Sequence, residues 1–155
     1  MITGLLATGL LAMAGPAAAA AAAADYGLVG KTDQAVMLID RSTVKEDGHI
    51  RSARALIFSR DRRFDPKEAY TILAYQFDCS ALTSKVDRIL VFDEADAVIS
   101  NDNTAASAFE PEKPGTLGRE ALSIVCGTKD YPIAKSLSLP VAKAVADAFL
   151  HPAAK

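Results

Sequence analysis

Cys79 and Cys126 are the two cysteines of this 155-residue chain, and they are the residues whose chemistry is most readily assigned. They form no Cys-x-x-Cys, and His49 and His151 are isolated from each other, so neither a redox pair nor a zinc ligand set has the required spacing. In an exported chain two such thiols pair as a structural disulfide. Closing so long a loop costs the unfolded chain about 4 kcal/mol in the chain-entropy treatment. That is a large share of a net stability of about 5–15 kcal/mol. Two buried free thiols are the alternative, favoured if the chain is not exported. A Cys/His nucleophile pairing is removed once both sulfurs are bonded. The sequence contains neither a G-x-S-x-G elbow nor a phosphate-cradling glycine loop, so it points to no catalytic activity and no cofactor. The run Asp93-Glu94-Ala95-Asp96 can hold Ca²⁺ only weakly. It lacks the long loop with a terminal bidentate glutamate and reads better as a solvated turn, leaving no metal site.

Charge supplies the other lead. The formal net charge is −2, which does not mark a nucleic-acid binder. Its distribution is uneven: Arg51, Arg54, Arg60, Arg62 and Arg63 cluster against Asp61 alone, whereas residues 87–112 are strongly acidic. The five arginines are candidate contacts for an acidic protein, a sulfated glycan or phospholipid headgroups. A solvated strand start and loop is the plainer explanation of the same residues.

The elements that position these residues follow from pattern. Residues 1–24 carry no charge: a Leu-rich run leads through Gly15-Pro16 into eight alanines, 17–24. That order is expected of a cleaved secretory signal. An uncleaved anchor, the only membrane contact expected, needs about 20 consistently apolar residues. Residues 25–155 are then a single domain, exported to the periplasm or cell surface.

Within it, residues 26–30 and 34–40 read as strands and 42–48 as a polar connection ending in the turn signal Asp47-Gly48. Residues 50–59 form a strand that enters from solvent and ends buried, followed by a charged loop at 60–65. Along 70–79, period two puts Thr71, Leu73, Tyr75, Phe77 and Cys79 on one face. A helix over 68–76 is the competing assignment. Residues 86–93 and 97–100 form a hairpin, and 101–107 is a loop or weak strand. Pro111 to Gly115 breaks the chain before a helix capped by Thr116 and stopped by Gly127. The tail, 128–155, holds a packing helix near 140–150 with Val141, Ala144, Val145, Ala148 and Phe149 as its apolar face.

This order of signals resembles the surface-adhesin protein E family of exported bacterial domains. The resemblance rests on an aromatic-x-x-Val-Gly opening at Tyr26 to Gly30, with Tyr where Trp is more usual. It rests also on a strand ending near Asp40, a strand ending in Asp78-Cys79, the hairpin, and Pro114-Gly115-Thr116 before a helix ending in Cys126. It covers residues 25–127, and the helix after Cys126 is additional. The resemblance implies an α+β fold: an antiparallel sheet of about six strands with a disulfide-tethered helix on one face. It also implies a non-catalytic module that binds host plasma or matrix proteins from the cell surface and self-associates as a homodimer. A periplasmic inhibitor or accessory subunit of an envelope enzyme is the alternative, and a small hydrolase is disfavoured because no base, nucleophile and orienter assemble.

Overall fold

The computed structural model describes residues 24–103 and 108–152. All of the expected export signal but Ala24, and most of the loop or weak strand expected over 101–107, lie outside the described residues. Among the described residues seven strands form one antiparallel sheet: β1 (Tyr26–Lys31), β2 (Ala35–Asp47), β3 (Ile50–Ser59), β4 (Tyr70–Asp78), β5 (Thr83–Phe92), β6 (Val98–Asp102) and β7 (Glu110–Pro111). The first six follow one another across the sheet in chain order, and β7 pairs with β5 beyond the end of β6. The described residues also form two helices, α1 (Leu117–Val125) and α2 (Leu139–Leu150).

Residues 50–59 form the strand expected of them, and the helical alternative over 68–76 is overturned by β4. The polar segment 42–47, expected as a connection, is instead the second half of β2. A bulge between Asp40 and Lys45 lets it continue pairing with β3 in solvent, leaving Gly48 and His49 as a two-residue turn. Gly48, at φ +60, supplies the backbone that such a tight turn needs at its first position. Pro111, expected to open the chain break that runs to Gly115, instead pairs with β5 alongside Glu110 as the short strand β7.

Alternation along the strands produces two separate cores, one on each face of the sheet. On the first, Leu28, Val36, Leu38, Leu56, Phe58 and Tyr70 pack against Ala142, Ala146 and Leu150 of α2. On the second, Val29, Met37, Ile39, Ala55 and Phe77 pack against Ala121, Leu122, Ile124 and Val125 of α1. The molecule is therefore a helix–sheet–helix sandwich, with the central strands buried on both sides as their near-continuous apolar runs require.

α1 begins where Thr116 Oγ1 accepts the Arg119 N–H at 3.2 Å, and ends at Cys126 before Gly127, whose φ is +74. α2 starts with Pro140 in its first turn. Its buried stripe is Ala142, Ala146 and Leu150, whereas three of the five residues of the expected face are exposed, Val141 at 46%, Ala144 and Ala148; Val145 is half-buried and Phe149 packs against the edge of the same core. Small side chains at Ala142 and Ala146 let the helix axis approach the sheet, an advantage that hydrophobicity alone does not reveal. The linker between the helices crosses the edge of β1, where Tyr26 and Leu137 exchange two 3.0 Å backbone hydrogen bonds. There Gly27 is required, because any Cβ would enter the Tyr131 ring.

Candidate functional site

Cys79 lies one residue past β4 and Cys126 at the C-cap of α1; they are bonded, with their Cα atoms 5.5 Å apart. The expected face assignment holds, since Leu73, Tyr75 and Phe77 belong to the core that α1 covers. The bridge pins the C-terminal end of α1 beside the Gly48 turn, where the Cys79 N–H also donates to the His49 carbonyl at 2.9 Å.

The five candidate arginines do not form one patch. Arg51 and Arg60 sit at opposite ends of β3, about 30 Å apart at strand spacing. Each is engaged by a helix. Arg51 Nη1 donates to the Val125 carbonyl of α1 at 2.6 Å and Nη2 meets Glu46 at 3.0 Å. Arg60 Nε donates to the Leu150 carbonyl of α2 at 3.2 Å. Neither helix has a basic residue in its last turn. One strand thus supplies, from its two ends, the positive charge that both helix C-termini need. Arg54 is exposed on the uncovered polar half of the first face, beside Ser42, Lys45 and Asp87. Arg62 and Arg63 stand exposed in the β3–β4 loop, Arg62 donating to the Pro66 carbonyl. Beside them Phe64 is 54% exposed.

The same end of the sheet carries a cleft of about 440 Å³ between α2 and the start of β4. Phe58, Tyr70, Ala146 and Leu150 line its apolar part; Arg60, Arg62, Glu68, Glu94, Lys143, Asp147 and His151 supply charge and polarity. Tyr70 stacks on Phe92 with centroids 4.8 Å apart, and its hydroxyl donates to Asp96 at 2.8 Å. Lys143 of α2 reaches the same carboxylate at 2.6 Å. Those two bonds, Lys143 first, hold the Asp96 carboxyl below its ordinary pKa, while burial and then the Asp96 bond push Tyr70 far above its own. Glu68, 5% exposed, accepts from Thr71 Oγ1 and the Phe64 N–H, both at 2.9 Å, so its charge fastens the loop inward. Nothing in the sequence marks Glu68, Lys143 or Asp147 as site residues. Glu68 comes from the β3–β4 loop, and Lys143 and Asp147 come from α2, so no local pattern joins the loop residue to the two helical ones.

The acidic turn is structural. Asp93 Oδ1 accepts the N–H groups of Ala95 and Ala97, both at 2.9 Å, and Asp96 is taken by Tyr70 and Lys143. His49 lies 3.6 Å from Asp78 with its side chain 63% exposed, whereas His151 is the C-cap of α2. Among the described residues no three His, Cys, Asp or Glu side chains converge, and no helix is long and apolar enough to cross a membrane.

A family model described as surface-adhesin protein E matches residues 26–127, from the first residue of β1 to the glycine that stops α1. Comparison with curated proteins and with solved structures finds no significant match.

Proposed function

This chain belongs to the surface-adhesin protein E family, and from that membership we infer that it is an exported, non-catalytic binding module of the bacterial envelope. It contacts protein or glycan partners through charged loops. The observation that carries this is the family match over the whole disulfide-clasped sheet and α1. A bonded cysteine pair agrees with residence in an oxidising compartment, and residues 1–24 are the expected signal for reaching it.

Of the charged segments, the β3–β4 loop is the best placed to touch a partner. Arg62 and Arg63 are exposed there beside Phe64, giving the cationic and aromatic pairing that dominates many interfaces. Arg51 is engaged with α1 and Glu46 and serves the frame instead. Acidic host matrix or plasma proteins and sulfated glycans are the partner chemistries this loop fits.

The test combines protease shaving of whole cells with binding of the purified protein to heparin and to immobilised plasma and matrix proteins. Surface exposure is expected, with binding that weakens with salt and falls at least about tenfold in an Arg62→Glu/Arg63→Glu variant, as loss of about 1.4 kcal/mol requires. A protein shielded from protease that co-purifies with one envelope enzyme at fixed stoichiometry overturns the adhesin assignment in favour of the inhibitor or accessory role.

A further inference from the structure

We propose that the cleft under α2 is a distinct binding site for a short peptide or amino-acid-like zwitterion bearing a free carboxylate. α2 lies outside residues 26–127, so the matched family span does not by itself make this cleft. Its volume, about 440 Å³, falls in the range of small-ligand sites. Phe58, Tyr70 and Leu150 give it an apolar floor.

The charges around that floor divide into committed and available groups. Lys143 is bound to Asp96, and Glu68 is turned into the loop. Arg60 is anchored through Nε on Leu150 and Arg62 through Nη1 on Pro66, which leaves other N–H groups of each fork to donate. Guanidinium groups already held in place lose little freedom on meeting a carboxylate. The carboxylates of Glu94 and Asp147 form no ion pair among the described residues. They come from the β5–β6 turn and from α2, whereas the arginines come from the end of β3 and its loop. A phosphate or other simple anion would meet the arginines but face these carboxylates. An uncharged apolar ligand would desolvate the Glu94 and Asp147 carboxylates and the remaining N–H groups of both arginines while offering them no partner. A ligand with an anionic end, a cationic end and an apolar body satisfies both walls and the floor.

The experiment is an NMR titration of the oxidised protein, as isolated, with lysyl-phenylalanine, its C-terminal amide, its N-acetylated form and inorganic phosphate. Lysyl-phenylalanine is expected to shift resonances of residues 58–62, 68–70 and 143–151, with a dissociation constant on the order of 1 mM or tighter. The amide is expected to bind at least about tenfold more weakly. Ala144→Trp, which fills the cleft from an exposed position, and Arg62→Ala should each abolish the shifts while leaving the remaining spectrum native. No shift at tenfold above that concentration, equal binding of the amide, phosphate matching the dipeptide, or shifts that survive Ala144→Trp would each overturn the proposal. Adhesion through the β3–β4 loop should survive Ala144→Trp, so failure here and failure of the adhesin assignment are distinguishable.

Discussion

Replacing both Cys79 and Cys126 with Ala removes a bond between residues 47 positions apart in the chain. The unfolded chain then regains its loop-closure entropy, about 4 kcal/mol at 25 °C. The folded state should change little, because α1 has its own hold on the sheet. Leu122, Ile124 and Val125 are buried, and burying each such side chain contributes about 1.5–3 kcal/mol. The expected result is a native-like circular dichroism spectrum with unfolding free energy lower by about 4 kcal/mol. The melting temperature should fall by about 12–20 °C for a domain of this size. Urea unfolding of the oxidised protein, the reduced protein and the double variant measures this. Extrapolated free energies are the quantity to compare, since a denatured chain freed of its cross-link also changes the slope. A loss below about 1 kcal/mol would refute the entropic argument. So would selective loss of amide protection in α1 at unchanged global stability, because the bond would then be docking the helix rather than constraining the unfolded chain.

Arg51→Met removes a charged donor from the Val125 carbonyl and should cost about 1.5–3 kcal/mol in urea unfolding. Arg60→Met, whose bond to the Leu150 carbonyl is longer, should cost about 0.5–1.5 kcal/mol. Ala142→Leu, at a site with no exposure where α2 meets the sheet, should cost about 1–3 kcal/mol by overpacking, whereas Val141→Ser on the exposed side should change stability by less than about 0.5 kcal/mol. All four tyrosines, Tyr26, Tyr70, Tyr75 and Tyr131, are raised above their ordinary pKa chiefly by burial, Tyr75 to about 12 with Glu112 as the further cause. Their unfolded forms ionise near pH 10, so the stability they contribute is fully present below that value and is lost as pH rises from about 10 toward 12. Absorbance at 295 nm should therefore show little tyrosinate at pH 10 and a cooperative rise coincident with unfolding; gradual ionisation at pH 10 in the folded protein would contradict the burial.

Much of the frame is written locally. Ile50–Ser59 declares itself by alternation giving way to a continuous apolar run, and α1 by a threonine cap, a three- and four-residue stripe and a closing glycine. The face shared by Phe77 and Cys79 follows from period two, and with two cysteines in a chain expected to be exported it leads to the clasp. These are short-range consequences of backbone geometry, and neighbouring residues suffice to specify them.

Other features depend on contacts between residues far apart in the chain. Periodicity shows that α2 is amphipathic, but Val141 and Ala142 compete for the inward position, and the close approach to the sheet selects the small one. The polar half of β2 pairs because β3 offers a partner edge, despite turn-forming residues that argue otherwise. Five arginines that look like one patch are distributed by a strand about 30 Å long between two helix ends, an open face and a loop. The cleft joins side chains from β3, the β3–β4 loop, the β5–β6 turn and α2. Sequence alone determines how each segment folds and which sides it wants covered; only tertiary packing decides what covers them, because that choice depends on shape and distance across the assembled sheet.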